Sequence, residues 1–114
     1  MKFEELDEFK KDLKQLLKKY PSLNDDLEIV KRVLAVNPAQ RSPFSFQLND
    51  LGIQTSVIKL KKIASRCRKQ EGASSGLQLI YAWFEQEDRI VLVELFHNKE
   101  NGKENRQRIL KNFN

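Results

Sequence analysis

One cysteine, one histidine, three prolines and four glycines are all that 114 residues hold of the types that staple, ligate or interrupt a chain. Cys67 has no second cysteine to pair with, so an internal disulfide is excluded. Together with His97 it also falls short of the ligands a structural zinc site requires, so no metal or other cofactor is expected and stability must come from packing. No apolar run approaches the ~20 residues of a membrane-spanning helix. The opening Met1-Lys2-Phe3-Glu4-Glu5 lacks the basic-then-apolar layout of a secretory leader, and the expectation is a cytoplasmic protein with no membrane partner. A glycine-rich phosphate loop, an HExxH helix and a Ser/His/Asp constellation are absent as well. The length suits a single domain over residues 1–114, and 39% hydrophobic residues suffice for a real core, which rules out disorder.

Basic charge is plentiful but confined. Residues 1–35 hold as many acidic as basic side chains, and so do residues 73–114. Residues 36–72 hold Arg41, Lys59, Lys61, Lys62, Arg66, Arg68 and Lys69 against Asp50 and Glu71, an excess of five that equals the net charge of the whole chain. Such a stretch attracts a polyanion. Lysines along a strand also keep a sheet edge from aggregating, so the charge alone does not define a site.

Phe3, Leu6, Phe9, Leu13, Leu16, Leu17 and Tyr20 recur at steps of three and four, which predicts an amphipathic helix from Phe3 to Tyr20. Pro21-Ser22 interrupts it. Asn24, Asp25, Asp26 and Glu28 place a cap and negative charge on the first turn of a second helix, with Leu27, Val30, Val33 and Leu34 as its apolar face and Asn37-Pro38 as its end. So short a link makes the pair an antiparallel hairpin. A turn-rich stretch from Ala39 to Gln54 leaves room for a short strand around Phe44 to Leu48. Val57 to Ala64 partly alternates, Ile58 and Leu60 against Lys59 and Lys61, as a half-exposed strand does, and Arg66 to Ser75 reads as a loop. Leu77 to Phe84 and Arg89 to Phe96 are β-rich runs joined by Glu85-Gln86-Glu87-Asp88, apolar at nearly every position and so expected at the sheet centre. Asn101 to Phe113 turns helical again. The order predicts an α+β fold: an N-terminal helical hairpin packed on one face of a small antiparallel sheet, with a short C-terminal helix.

Four features invite a chemical reading. Asp25-Asp26 is a carboxylate pair, but neighbours in a first helical turn diverge and favour the dipole. Cys67 lies within the basic stretch, where a lowered pKa makes a thiol reactive, although a lone small residue beside a strand needs no role. Trp83 and Tyr81 are able to stack on bases, yet in such an apolar run they belong to the core. Glu94, with apolar neighbours on each side, reads as an outward-facing strand residue rather than a paired buried carboxylate.

The two helices opening Phe3-x-x-Leu6-x-x-Phe9, the strand Val57-Ile58-Lys59-Leu60-Lys61, the run Gly76-Leu77-Gln78-Leu79-Ile80-Tyr81 and the last strand Ile90-Val91-Leu92-Val93-Glu94-Leu95-Phe96-His97-Asn98-Lys99 together resemble the RelE/ParE toxin superfamily over nearly the whole chain. The resemblance implies a toxin held inactive by an antitoxin protein. In the RelE branch it implies metal-independent cleavage of messenger RNA, usually on the ribosome, and in the ParE branch inhibition of DNA gyrase. By motif position it implies roles for Lys59, Lys61 and Lys99 at the phosphate and for His97 near the end of the last strand. Gln78 stands where many members carry arginine, and Arg66 or Arg68 is placed to supply that charge instead.

Metal-free RNA cleavage needs a base for the 2'-hydroxyl proton, cations against the charge gathering at phosphorus, and an acid for the leaving 5'-oxygen. On this expectation Lys59, Lys61, Arg66 and Lys99 stabilise charge, and Lys62, Arg68, Lys69 and Gln78 bind substrate. His97 is acid or base, since an unperturbed imidazole, at ~6.5, suits proton transfer at neutral pH. The neutral amide of Gln78 keeps a second reading open, a non-catalytic member of the same fold that inhibits gyrase or binds nucleic acid or protein.

Overall fold

The computed structural model describes residues 1–39, 45–61, 63, 76–97 and 104–113. In chain order the elements are β1 (Lys2–Glu5), α1 (Asp7–Leu17), α2 (Leu23–Val36), β2 (Ser45–Gln47), β3 (Ser56–Leu60), β4 (Leu77–Phe84), a 3-10 turn (Glu85–Glu87), β5 (Arg89–His97) and α3 (Arg106–Phe113). The strands form one sheet in the order β1-β5-β4-β3-β2. Strands β2 to β5 pair antiparallel, and β1 joins the outer edge of β5 in parallel, Phe3 opposite Ile90. The α+β architecture with an N-terminal hairpin and a short C-terminal helix is as the sequence predicts.

Two details differ. The helix expected from Phe3 begins at Asp7, because residues 2–5 are a strand: Phe3 and Phe9 enter the same core from different elements, so their spacing mimics one helical stripe. The helices also do not share a face. Phe9, Leu16 and Tyr20, with Leu23, Leu27 and Leu34, pack on Ile58, Leu79, Tyr81 and Leu92. On the other side Ile109 of α3 and Leu51 of the β2–β3 loop cover Val57, Ile80, Ala82 and Val91. Cover on both faces is why β4 and β5 are apolar at almost every position. Tyr81 is a core residue, its hydroxyl donating to the Pro38 carbonyl at 2.7 Å, and Trp83 packs against the same cluster. Burial pushes the Tyr81 phenol pKa well up. Asp26 accepts a hydrogen bond from the Ser22 hydroxyl at 2.8 Å, which makes the Asp25-Asp26 pair a helix-start feature.

Strand β5 carries one residue more than β4. Ile80 lies opposite Glu94 and Tyr81 opposite Leu92, which leaves Val93 as the extra residue of a β-bulge. The bulge places Val93 and Glu94 together on the α3 side and returns Leu95 and His97 to the side of α1 and α2. It falls just past the point where β1 stops pairing, so the backbone edge of β5 has no strand beside it there. Two side chains take the place of that strand. Asp12 of α1 accepts the Leu95 N–H at 3.2 Å, and Arg108 of α3 donates to the Val93 carbonyl at 2.9 Å. Arg108 and Asp12 also bond to each other at 2.6 Å and 3.4 Å, so helices on opposite faces meet around the sheet edge. This partnership holds the Arg108 guanidinium pKa above its ordinary value although burial alone pulls it down.

Asp12→Ala and Arg108→Ala should each cost about 1.5–3 kcal/mol in urea denaturation, less than a fully buried pair, because the two side chains keep 21% and 13% exposure. The double variant should cost little more than either single one. A loss below ~0.5 kcal/mol would reduce the pair to an ordinary surface contact.

Candidate nucleic-acid interface

Strand alternation turns Lys59 and Lys61 toward the α3 side of the sheet. Phe46, Lys59, Ile80 and Glu94 form one row of opposed residues across β2, β3, β4 and β5. Gln78 and Phe96 are opposed one step further along, and Lys61 follows the end of β3 at that level. The Lys61 ammonium sits 5.1 Å from the centroid of the Phe46 ring, and that of Lys59 sits 5.8 Å from the Phe96 ring. Each ammonium thus lies over an aromatic ring within cation–π range.

The two lysines differ in charge balance. Lys59 donates to Glu104 at 3.1 Å, and both side chains are withdrawn from solvent, 14% and 8% exposed. Burial raises the Glu104 pKa, but its own backbone N–H, Lys59 and Arg106 outweigh that, and the carboxyl lies below the usual range. Lys61 is exposed and has no carboxylate partner among the described residues. Glu94 is buried on this face, where it accepts the Asn105 N–H at 2.7 Å and so seats the residue whose side chain caps α3. Its carboxyl lies above the usual range, raised first by burial and then by Asp12 and Glu104, against the pull of the Asn105 N–H and Arg108. The outward orientation expected for Glu94 is therefore replaced by a paired, buried one, because the bulge gives it the α3 side. Arg106 closes the arrangement with Asp50 at 3.0 Å, a bond that holds the Asp50 pKa down.

Gln78 faces this side too, away from Leu77 and Leu79, at 7% exposure, and its Oε1 is buried without a hydrogen-bond partner. Lys59, Lys61 and Gln78 thus lie on one face of the sheet. His97 does not join them: the bulge turns it to the opposite face, where its ring stacks on Tyr20 with centroids 6.2 Å apart. Lys62, Arg66, Arg68, Lys69 and Lys99 lie outside the described residues, as do Arg41 and Cys67. Phe46, Phe96 and Glu104 were not singled out by the sequence. Phe46 carried a signal, an aromatic residue in the expected strand around 44–48, whereas the pairing of Glu104 across 45 positions carried none.

No family model and no curated protein matches this sequence. Among solved structures it is similar to a metal-bound toxin from Helicobacter pylori, with a TM-score of 0.58 and 22% identity over 89% of this chain and 98% of that one. The chain has the fold of that toxin. Among the described residues no group of three or more His, Cys, Asp or Glu is placed to hold a metal ion, and no helix is long and apolar enough to cross a membrane.

The two carboxylates should titrate stability in opposite senses. A raised folded pKa favours the protonated form, so the Glu94 contribution is present below the unfolded value of ~4.3 and is lost as pH rises through the folded value. Glu104, with a lowered pKa, contributes above ~4.3, and that contribution is lost as pH falls through its folded value. Glu94→Gln should therefore gain on the wild type, and Glu104→Gln fall behind it, as melting temperatures are compared from pH 4 to pH 8. Parallel curves would refute the assignment. Gln78→Leu, which removes an orphaned buried acceptor, should stabilise the fold by about 0–2 kcal/mol in the same assay.

Proposed function

We propose that this protein is the toxin of a toxin–antitoxin pair of the RelE type, and that the face carrying Lys59 and Lys61 takes the backbone of single-stranded RNA. The observation that carries the reading is Lys61: an exposed cation without a carboxylate partner among the described residues, on the same face as the unbonded acceptor of Gln78. The fold shared with a toxin supports the same class. In the cleavage this implies, the 2'-oxygen bonds to phosphorus, the bond to the 5'-oxygen breaks, and a 2',3'-cyclic phosphate remains. Fixed ammonium groups offset the charge that gathers on phosphorus. On this reading Lys59 and Lys61 supply binding and charge stabilisation, while His97, stacked on Tyr20, is not on their face to transfer the proton. The partner is an acidic antitoxin chain that covers the basic stretch, and messenger RNA on the ribosome is the favoured substrate.

One observation favours the non-catalytic alternative. Lys59 is already neutralised by Glu104, and Gln78 brings no charge, so the face has less positive potential than its lysines suggest.

The test is RNA binding against salt, followed by cleavage. Each phosphate neutralised on a single strand adds about 0.7 to the log–log slope. Lys61→Ala should lower the slope by about that amount, Glu104→Gln should raise it by freeing Lys59, and Lys14→Ala on α1 should leave it alone. Cut messages with cyclic phosphate ends after induced expression support the nuclease; salt-dependent binding without cleavage moves the protein to the alternative; absence of RNA binding overturns the proposal.

A further inference from the structure

We infer that the Phe46 ring on the edge strand β2 is a stacking platform for one unpaired nucleobase, with Lys61 holding the phosphate of the same nucleotide. The inference rests on the RNA reading above and deepens it by naming a subsite. Among the described residues Phe46 belongs to the strand at the end of the sheet, and at 37% exposure it is more open to solvent than the other large aromatics of the described strands, which are buried or half-buried. Apolar packing does not explain it: it belongs to neither core cluster. What it touches is the Lys61 ammonium, 5.1 Å from its centroid. An exposed ring with a cation against it matches the two ends of a nucleotide, a flat π-surface and an anion joined by one sugar. Gln78, whose buried Oε1 has no hydrogen-bond partner, lies on the same face. A double helix keeps its bases stacked on each other, so the subsite selects single-stranded RNA. Because Phe46 lies at the rim and outside the core clusters, its substitution leaves the fold in place.

The experiment measures the affinity of a labelled eight-nucleotide RNA for the full chain, then repeats it with an abasic sugar at each position in turn. Phe46→Leu keeps an apolar side chain without the π-face, and Phe46→Tyr keeps the face; melting curves confirm that both are folded. Phe46→Leu should weaken binding about 5- to 150-fold, and Phe46→Tyr should stay within about twofold of the wild type. One abasic position should cost the wild type a similar factor and cost Phe46→Leu nothing. If the RNA binds and every abasic position costs both proteins alike, or if Leu and Tyr weaken binding equally, the platform is refuted while the RNA reading stands. If the wild type binds no RNA, the RNA reading falls and the platform with it.

Discussion

The Asp12–Arg108 pair decides which face of the sheet each residue at the end of β5 occupies. Where β1 ends, the edge of β5 would otherwise leave the Leu95 N–H and the Val93 carbonyl unbonded beside a bulge, and an unsatisfied buried group costs ~1–3 kcal/mol. The pair bonds both and ties α1 to α3 in the same contact. With the bulge secured, Glu94 seats the first turn of α3, and Glu104, just ahead of that helix, reaches Lys59. The position of α3, the burial of Val57 and Ile80, and the neutralisation of one lysine all follow from one ion pair.

Much of the fold was legible because hydrophobic runs and breakers are local signals. The strand from Leu77 to Phe84 has the bounds its sequence predicts, and Asn37-Pro38 ends the second helix as expected. What escaped depends on partners distant in sequence. Residues 2–5 have weak β character and become a strand only because β5 offers them an edge. The bulge leaves no mark in a run that is apolar at nearly every position, yet one inserted residue reverses the face of everything beyond it. Strict alternation from Val91 would put His97 on the face of Lys59; the inserted residue turns it to Tyr20 instead. Lys59 on β3 and Lys61 just past its end are two residues apart with no bulge between them, so alternation holds there where it fails for His97.

Net charge also proves to be a coarse guide to available charge. The excess of five sits in residues 36–72, but of the two lysines of that stretch on the described face one is matched by Glu104, from a segment whose own balance is neutral. Folding thus redistributes charge that the linear count assigns to separate regions. Among the described residues of this face one ammonium, that of Lys61, is exposed without a carboxylate partner, and it lies against the Phe46 ring.

The parallel seam between β1 and β5 has a consequence for how the chain is assembled. Its partners lie 87 positions apart, Lys2 with Arg89 and Glu5 with Leu92, whereas the α1–α2 hairpin and the β4–β5 hairpin join near neighbours. Contacts of such separation pay their loop-closure entropy only after local structure has formed. Residues 2–5 must therefore wait, unpaired, until β5 has been made, and that edge of the sheet closes only after the strands between them are in place.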